Sequence, residues 1–213
     1  MISIVVLAAG EASRFGSPKQ LSKINEQSLL ELAFEKCVKL SAQCSEAGLA
    51  TESILALGAH FDSVQQFIES QPELKWDSIQ RVSNWQQGMG RSIAEVFRSQ
   101  LDRSPVDADR PLHGALVILV DQPMVCTQEL FSMLNLGVHE NCVVCSSYPK
   151  TIGPPAFFPR HEMQAFIERF ESSEKWQGGA KLFIQERTHK CLDMRGVLDD
   201  IDTVVDLIRV SKL

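Results

Sequence analysis

The chain begins with an apolar stretch over residues 2–9, interrupted only by Ser3, which passes directly into a loop of small and charged residues. A short, continuous apolar stretch is typical of a strand that is buried on both faces, as in a parallel sheet covered by helices. The stretch has no basic leader and is far shorter than the roughly 18 apolar residues of a membrane span. We therefore predict a buried first strand rather than a signal peptide or a membrane anchor.

Segments with strand and helix signatures alternate along the rest of the chain. Strands are predicted at residues 2–9, 53–57, 78–82, 115–120, 141–147 and 190–194, and helices at residues 29–40, 61–70, 91–101, 128–136, 162–170, 179–186 and 203–210. This order predicts an α/β fold with a Rossmann-like, mostly parallel sheet and helices on both of its faces. Residues 103–113 and Gly153-Pro154-Pro155 are predicted to interrupt the regular structure. No repeat or linker divides the chain, so residues 1–213 are expected to form a single domain.

The composition restricts the classes of partner. The net charge is −6, so the chain offers no broad basic surface to nucleic acid or to an anionic membrane, and a phosphate site has to be built locally. The six cysteines are scattered and are expected to be buried free thiols in a reducing cytoplasm. Cys142 and Cys145 lie three positions apart in a predicted strand, so they face opposite sides and are not expected to share a metal.

The loop after the first strand lets a ligand approach its backbone. Leu7 is followed by Ala8, Ala9 and Gly10, which carry little or no side chain. In open α/β sheets, ligands bind at the carboxyl ends of the strands, where this loop begins. Gly16 permits a turn with positive φ. We predict that the loop surrounds the phosphate groups of a nucleotide.

Two cations, Arg14 and Lys19, lie in this loop of an otherwise acidic chain. A guanidinium fork and an ammonium point charge suit different phosphate oxygens, and the alternative is a pair of solvated loop charges. The pattern G-x-x-x-x-G-K-[ST] is absent, because five residues separate Gly10 from Gly16. The pattern G-x-G-x-x-G, which begins at Gly88, ends instead at Ile93. The two standard phosphate motifs are therefore excluded.

The loop pattern L-A-A-G-x-x-x-R-F-G-x-x-K-x-L, at residues 7–21, resembles the signature of the MobA-like nucleotidyltransferases, and most closely that of the molybdenum cofactor cytidylyltransferases. Further segments resemble motifs of the same family in the same order. They are N-x-x-x-G-M-x-x-S at residues 84–92, D-x-P at residues 121–123, G-x-P-x-x-F at residues 153–158, a segment similar to G-x-G-A-R at residues 178–181, and D-I-D-T at residues 200–203. The resemblance covers nearly the whole chain and implies a fold like that of the nucleotide-diphospho-sugar transferases.

The resemblance also implies roles for individual residues. Arg14 and Lys19 would neutralise the triphosphate and the departing pyrophosphate, and Asp121 would bind Mg²⁺. Asp202 would be a second metal contact, with Asp200 as the competing candidate. The remaining residues form a nucleotide-binding group, Leu7, Ala8, Ala9, Gly10, Gly16, Asn84, Gly88 and Ser92, and an acceptor-binding group, Gly153, Pro155 and Lys181.

The two acidic positions also have structural alternatives. Asp121 follows an apolar strand and precedes Pro123 by two positions, so its carboxylate could cap the turn that ends the strand. Asp202 precedes Thr203, which begins a predicted helix with a capping-box-like pattern that has Asp206 in place of glutamate.

From the resemblance we predict a cytoplasmic enzyme that transfers CMP from CTP to a phosphate-bearing acceptor, molybdopterin, with Mg²⁺ as cofactor and release of pyrophosphate. The second pKa of a phosphate monoester is about 6, so such an acceptor is largely ionised at neutral pH and needs no general base. The methyl group of Ala9 could narrow the space for a purine, which favours CTP over GTP. A cofactor-receiving oxidoreductase is the expected protein partner.

Alternatives stay open. One is a guanylyltransferase or a sugar- or alditol-phosphate nucleotidyltransferase, because Lys181 stands where the family usually has arginine and Pro154 is an additional proline. Another, from a different class, is a nucleotide-binding chaperone that passes a cofactor to an oxidoreductase with little turnover. A dinucleotide-dependent oxidoreductase ranks last, because the chain lacks G-x-G-x-x-G.

Overall fold

The computed structural model describes residues 1–104, 111–171 and 179–213. Its strands are β1 Ile2–Ala8, β2 Lys23–Ile24, β3 Gln27–Ser28, β4 Thr51–Leu57, β5 Ser78–Arg81, β6 Gly114–Leu119, β7 Val143–Tyr148, β8 Thr151–Pro159 and β9 His189–Asp193. Its helices are α1 Leu29–Glu46, α2 Phe61–Glu69, α3 Met89–Arg103, α4 Thr127–Glu140, α5 Arg160–Glu171, α6 Ala180–Gln185 and α7 Val204–Val210. Part of the loop predicted at residues 103–113 and Gly178 lie outside the described residues.

Seven of the nine strands named above form one sheet with the order β5-β4-β1-β6-β8-β7-β9, while β2 and β3 pair antiparallel in a separate two-stranded sheet. β1 pairs in parallel with β4 on one side and with β6 on the other, and β4 pairs in parallel with β5. β8 runs antiparallel to both of its neighbours, β6 and β7, while β9 is parallel to β7. The prediction of a Rossmann-like, mostly parallel sheet is confirmed.

The strand order reverses at β1. The chain goes from β1 to β4 and β5 on one side of the sheet and then returns to place β6 on the other side. At such a switch point the connections leave the sheet in opposite directions, which opens a crevice at the carboxyl ends of the two central strands. The loop that follows β1 therefore lies at the mouth of this crevice.

Burial on both faces explains the apolar character of β1, in which every residue is buried and Ser3 is the one polar side chain. Ile4 and Val6 belong to one apolar layer, which is covered by α1, α2, α4 and α7. Val5 and Leu7 belong to a second layer, which is covered by α3, α5 and α6. Edge-to-face aromatic contacts fill the centre of the second layer, with ring centroids 5.2 to 5.6 Å apart, between Phe97, Phe158 and Phe166.

The prediction that Gly153-Pro154-Pro155 interrupts the regular structure is wrong, because β8 runs through all three residues. The reason lies in the register between β7 and β8, which shifts between Cys145 and Ser146. Cys145 pairs with Ala156 and Ser146 with Gly153, so the two prolines form a bulge that takes no partner from β7. A bulge accommodates proline because no ladder N–H is required there.

Helix starts agree with the sequence better than helix ends do. α1 extends to Glu46, beyond the predicted end at residue 40, because Cys44 continues its buried stripe. The predicted capping box of α7 is confirmed, since the Thr203 hydroxyl accepts from Asp206 N at 3.3 Å and Thr203 N donates to Asp206 Oδ2 at 2.8 Å. None of the described helices combines the length and apolar character needed to cross a membrane.

The cysteines differ from expectation in part. Cys145 is buried in the second apolar layer and Cys142 packs against the first, so the two thiols face opposite sides as predicted. The prediction that all six thiols are buried is wrong, because Cys126 and Cys191 are exposed. Cys126 immediately precedes α4, and Cys191 lies on β9 at the edge of the sheet, where burial is incomplete.

The packing of α4 on β8 predicts the effect of adding one methyl group. A Cβ built at Gly137 would lie 2.1 Å from Phe157 Cδ1, and the Phe157 ring is fully buried. We expect Gly137→Ala to lower the free energy of unfolding by about 1–3 kcal/mol, although alanine is the better helix former. Urea unfolding measures the change, and His139→Ala, an exposed position of the same helix, is the control. Equal stability of the two variants would contradict the packing described.

Candidate active site

A cleft of about 300 Å³ opens where the carboxyl ends of β1 and β6 diverge. Its walls come from the end of β1 and the following loop, from the segment before α3 and its first turn, and from the end of β6. The lining residues include most of the predicted nucleotide group together with Lys19 and Asp121: Leu7, Ala8, Ala9, Gly10, Lys19, Gly88, Ser92 and Asp121. The structure thus brings together residues from three separate parts of the chain.

The end of β1 is packed tightly on one side and open on the other. Ala9 O accepts a hydrogen bond from Ala59 N at 3.2 Å. A Cβ at Gly58 would lie 2.3 Å from Ala9 O and 2.8 Å from Trp85 Cβ, so glycine lets Trp85 pack closely against the strand end. At Gly10, by contrast, an added Cβ would meet nothing within 4 Å. The free space therefore lies on the side of the cleft.

Three contacts fix the loop after β1. Phe15 packs against the first apolar layer, and Phe15 N donates to Ala12 O at 2.7 Å to close a turn. His60 Nε2 lies 2.7 Å from Glu11 O and bonds to this carbonyl. Gly16 has φ of 74°, so the predicted turn with positive φ is confirmed. These contacts hold a loop that has few apolar side chains of its own.

The predicted cations of the loop occupy different environments. Lys19 Nζ lies 2.7 Å from Asp121 Oδ2 and 3.6 Å from Asp202 Oδ1, and its side chain is mostly buried. Arg14 is exposed, makes no ion pair with the residues that the structure describes, and does not line the cleft. Gly16 is likewise exposed and outside the cleft lining. Lys19 alone of the two cations bridges the loop and the end of β6.

Negative charge exceeds positive charge beside Lys19. Ile201 N donates to Asp121 O at 2.9 Å, which brings the D-I-D-T segment to the end of β6. The pKa of Asp200 is raised to about 6, chiefly by burial and also by the carboxylates of Asp121 and Asp202, while Lys19 acts in the opposite direction. Three carboxylates thus share one ammonium group, an arrangement that favours binding of a further cation.

Asp121 has a free oxygen suited to such a cation. Its Oδ1 is buried and has no hydrogen-bond partner among the described residues, whereas its Oδ2 pairs with Lys19. Within residues 1–104, 111–171 and 179–213, no group of three histidine, cysteine or acidic side chains is arranged as a metal site. A cation that takes most of its ligands from a substrate and water needs only one or two carboxylates of the protein.

Two positioning residues of the cleft were missed by the sequence analysis. Gln20, which is 2% exposed, donates from Nε2 to Ala8 O at 2.7 Å and so ties the loop back to β1. Lys36 of α1 donates from Nζ to Gln122 O at 2.8 Å and to Pro123 O at 3.2 Å, which holds the turn after Asp121. The sequence does contain one signal for Lys36: it directly precedes Cys37, which belongs to the buried stripe of α1.

The start of α3 borders the cleft. Gly88 has φ of 95° and precedes the helix, which has no side-chain cap at its first turn. The free N–H groups of such a turn carry partial positive charge and favour anions. Asn84 lies outside the cleft lining, where Glu95 accepts from Asn84 N at 3.1 Å and from Asn84 Nδ2 at 3.3 Å. Asn84 and Glu95 thus order the approach to the helix.

The predicted acceptor residues lie apart from the cleft. Gly153 and Pro155 are buried in β8, and Pro155 O accepts from Ser146 Oγ at 3.1 Å. Lys181 is exposed at the second position of α6. None of the three lines the cleft.

A crevice at a sheet switch point, with a glycine-rich loop, a helix start, a lysine and paired carboxylates, defines a nucleotide-binding protein of the α/β class. The chain belongs to the family of the MobA-like NTP transferase domain, whose model matches residues 4–190. It is therefore a member of a nucleotidyltransferase family.

Solved structures with the same fold extend over nearly the whole chain. Rv0371c from Mycobacterium tuberculosis H37Rv, in complex with manganese, is 18% identical, with a TM-score of 0.66 over 100% of this chain and 98% of the other. Molybdopterin-guanine dinucleotide biosynthesis protein A from Archaeoglobus fulgidus is 14% identical, with a TM-score of 0.69 over 99% and 97%. The 4-diphosphocytidyl-2C-methyl-D-erythritol synthase from Anaerococcus prevotii is 16% identical, with a TM-score of 0.69 over 99% and 94%.

The environment of Lys36 predicts a pH-dependent stability. Burial lowers the pKa of Lys36 from 10.5 to about 8, against the opposing influence of Cys37 and Cys126. Between these two pKa values the unfolded chain binds one proton more than the folded chain, so stability rises with pH. From pH 7 to pH 9.5 the free energy of unfolding of the native chain should rise by about 2 kcal/mol relative to Lys36→Met.

Urea unfolding of both proteins at the two pH values checks this difference. Comparison with Lys36→Met removes the contribution of the cysteine thiols, which titrate in the same range in the unfolded chain. Lys39→Met, an exposed position on the same helix, should follow the native chain. An identical pH dependence in the native chain and Lys36→Met would show that the Lys36 ammonium is solvated.

Proposed function

We propose that this protein transfers CMP from CTP to the phosphate group of an acceptor, molybdopterin, with release of pyrophosphate, and that it acts in the cytoplasm. The observation that carries the proposal is the Lys19–Asp121 pair, which joins the loop after β1 to the turn after β6 across the cleft. A cation suited to phosphate and a carboxylate suited to a metal thus lie together in the lining of the cleft, next to the ends of β1 and β6. The exposed free thiols of Cys126 and Cys191 are in keeping with a reducing compartment.

The substrates are proposed from likeness. The pattern L-A-A-G at residues 7–10 resembles that of the cytidylyl-transferring branch, in which alanine takes the place of a glycine common among guanylyl-transferring relatives. One structural neighbour is named for molybdopterin-guanine dinucleotide, which supports the proposed acceptor. Another is named for a diphosphocytidyl product, which supports the proposed cytidylyl transfer. A cofactor-receiving oxidoreductase is proposed as the protein that accepts the product.

Mg²⁺ is proposed as the metal, with Asp121 and Asp202 as its protein ligands. The unpartnered Oδ1 of Asp121 and the excess of carboxylate charge fit a divalent cation. Mg²⁺ is usually held by one or two carboxylates and by substrate phosphates, where it neutralises phosphate charge. The manganese complex of Rv0371c, a protein of the same fold, supports a divalent ion.

The chain's own residues would act on the two phosphate-bearing substrates as follows. An oxygen of the acceptor phosphate attacks the α-phosphorus of CTP, and the bond from this phosphorus to the bridging oxygen of pyrophosphate breaks. Lys19 and Arg14 neutralise the charge that develops on pyrophosphate. The backbone of Gly10 and the first turn of α3 orient the phosphates. The acceptor phosphate is already ionised, so no side chain has to remove a proton.

Acceptor contacts are proposed at Gly153, Pro155 and Lys181. These residues lie beyond the cleft, in β8 and α6, so the acceptor would reach the nucleotide from that direction. Asn84 is proposed to act indirectly, through its bonds to Glu95 beside the start of α3. Ser92, which is 2% exposed and lines the cleft, is proposed as a direct phosphate contact.

The metal role of Asp121 predicts a large loss of turnover. We expect Asp121→Asn to lower kcat by about 10²–10³, since it removes charge stabilisation at the transferring phosphates. Pyrophosphate release with CTP, Mg²⁺ and molybdopterin is the measurement. Asp102→Asn, an exposed position at the far end of α3, is the matched control.

The same assay separates the alternative functions. Near-native turnover by Asp121→Asn would remove the metal role. Release of pyrophosphate from GTP, or with sugar or alditol phosphates alone, would replace the proposed substrates. Nucleotide binding by calorimetry without any release of pyrophosphate would favour the cofactor chaperone.

The small cleft predicts selection of the base through Ala9. Ala9 is 4% exposed, lines the cleft and cannot retreat, because Ala59 N bonds its carbonyl. We expect CTP to bind more tightly than GTP. Ala9→Gly should reduce the ratio of the GTP dissociation constant to the CTP dissociation constant by about tenfold, a difference of about 1.4 kcal/mol. Calorimetric titration with each nucleotide and Mg²⁺ gives the ratio. Equal affinities of the native chain for CTP and GTP would remove this role of Ala9.

A further inference from the structure

Tyr148, the only tyrosine of the chain, stands at the end of β7 between the turn that carries Asp121 and the proline bulge of β8. Its hydroxyl oxygen accepts a hydrogen bond from Gln122 Nε2 at 2.8 Å. The same hydroxyl group donates to Pro154 O. One phenol therefore joins the residue next to Asp121 to the segment assigned by resemblance to the acceptor.

Gln122 depends on this phenol for its orientation. Gln122 directly follows Asp121, is 2% exposed, and its Oε1 has no partner among the described residues. The bond from Nε2 to Tyr148 is thus the one hydrogen bond that its side chain makes within the part of the chain that the structure describes. Pro154, for its part, lies in the bulge that takes no partner from β7. Gln122 and Pro154 thus make no ladder pairing with each other or with β7, and the Tyr148 hydroxyl is a side-chain link between them.

The surroundings keep the phenol neutral. Burial raises the pKa of Tyr148, the bond from Gln122 lowers it, and the carboxylates of Asp200 and Asp121 raise it. A neutral phenol donates and accepts at the same time, which is what its two partners require.

We infer that Tyr148 is a positioning residue that holds residues 153–155 in place relative to Asp121, so that an acceptor phosphate bound beside β8 meets the α-phosphorus of the nucleotide in line. This inference rests on the proposed function, because it takes the acceptor to bind beside residues 153–155. Tyr148 itself touches neither reacting group. Its hydroxyl sets the distance between the two halves of the site.

The consequence of losing the hydroxyl follows from its partners. Tyr148→Phe keeps the ring and its packing but leaves Gln122 Nε2 and Pro154 O without their shared partner. Buried groups that lose a partner shift or admit water. A displacement on the order of 1 Å between reacting groups can cost about 10²-fold in rate.

Kinetics and calorimetry of Tyr148→Phe form the first half of the test, with CTP, Mg²⁺ and molybdopterin as the probes. We expect kcat to fall by about 10–100-fold while the dissociation constant of CTP stays within about twofold. Tyr148→Phe with native kcat would overturn the inference and leave the proposed function standing. A parallel loss of CTP affinity and thermal stability would also overturn it, since that pattern marks general disruption of the fold.

A spectroscopic readout forms the second half and needs no ligand. Because the chain has one tyrosine, 3-fluorotyrosine labelling gives a single ¹⁹F resonance that reports on position 148. We expect Asp121→Asn to shift this resonance, and the control Asp102→Asn to leave it unchanged. An unshifted resonance in Asp121→Asn would overturn the coupling. Absence of pyrophosphate release by the native chain would overturn the proposed function instead, with the ¹⁹F result still deciding the coupling.

Discussion

The ion pair between Lys19 and Asp121 is the contact on which the site depends, because it joins two segments that leave the sheet in opposite directions. A further side chain holds the segment that carries each partner. Gln20, next to Lys19, bonds the end of β1, while Lys36 bonds the two carbonyls that follow Asp121. Since both partners are partly shielded from water, their attraction exceeds that of a surface pair. The cleft therefore keeps its width by electrostatics as well as by packing.

Local patterns made part of this arrangement predictable from the sequence. A strand buried on both faces is mostly apolar, which identified β1, and a turn with positive φ favours glycine, which identified Gly16. The capping box at Thr203 is a pattern of four adjacent residues. In each of these cases the physical cause lies within a few residues of its effect. The family resemblance then related Lys19 to Asp121, about a hundred positions apart.

The features that escaped prediction depend on distant partners. Two prolines in a row indicate an interruption, and only the register of β7 against β8 makes them a bulge within a strand. Lys36 has the appearance of a solvated helix charge until the turn after Asp121 is placed over it. Gln20 and Tyr148 are polar residues whose roles are set by Ala8 and Pro154, which lie on other elements. No local sequence pattern distinguishes Gln20 and Tyr148 from surface residues.

The two halves of the site are constrained by different kinds of sheet. The nucleotide half rests on β1, whose parallel ladders to β4 and β6 allow no shift without moving apolar residues between layers. The segment at residues 153–155 lies in β8 ahead of its ladder with β6, which begins at Ala156. Changes in that segment would leave the ladders that hold β1 between β4 and β6 undisturbed. Tyr148 adds a side-chain link between this segment and the turn after Asp121, beside the ladder pairs at Gly153 and Ala156 that flank the bulge.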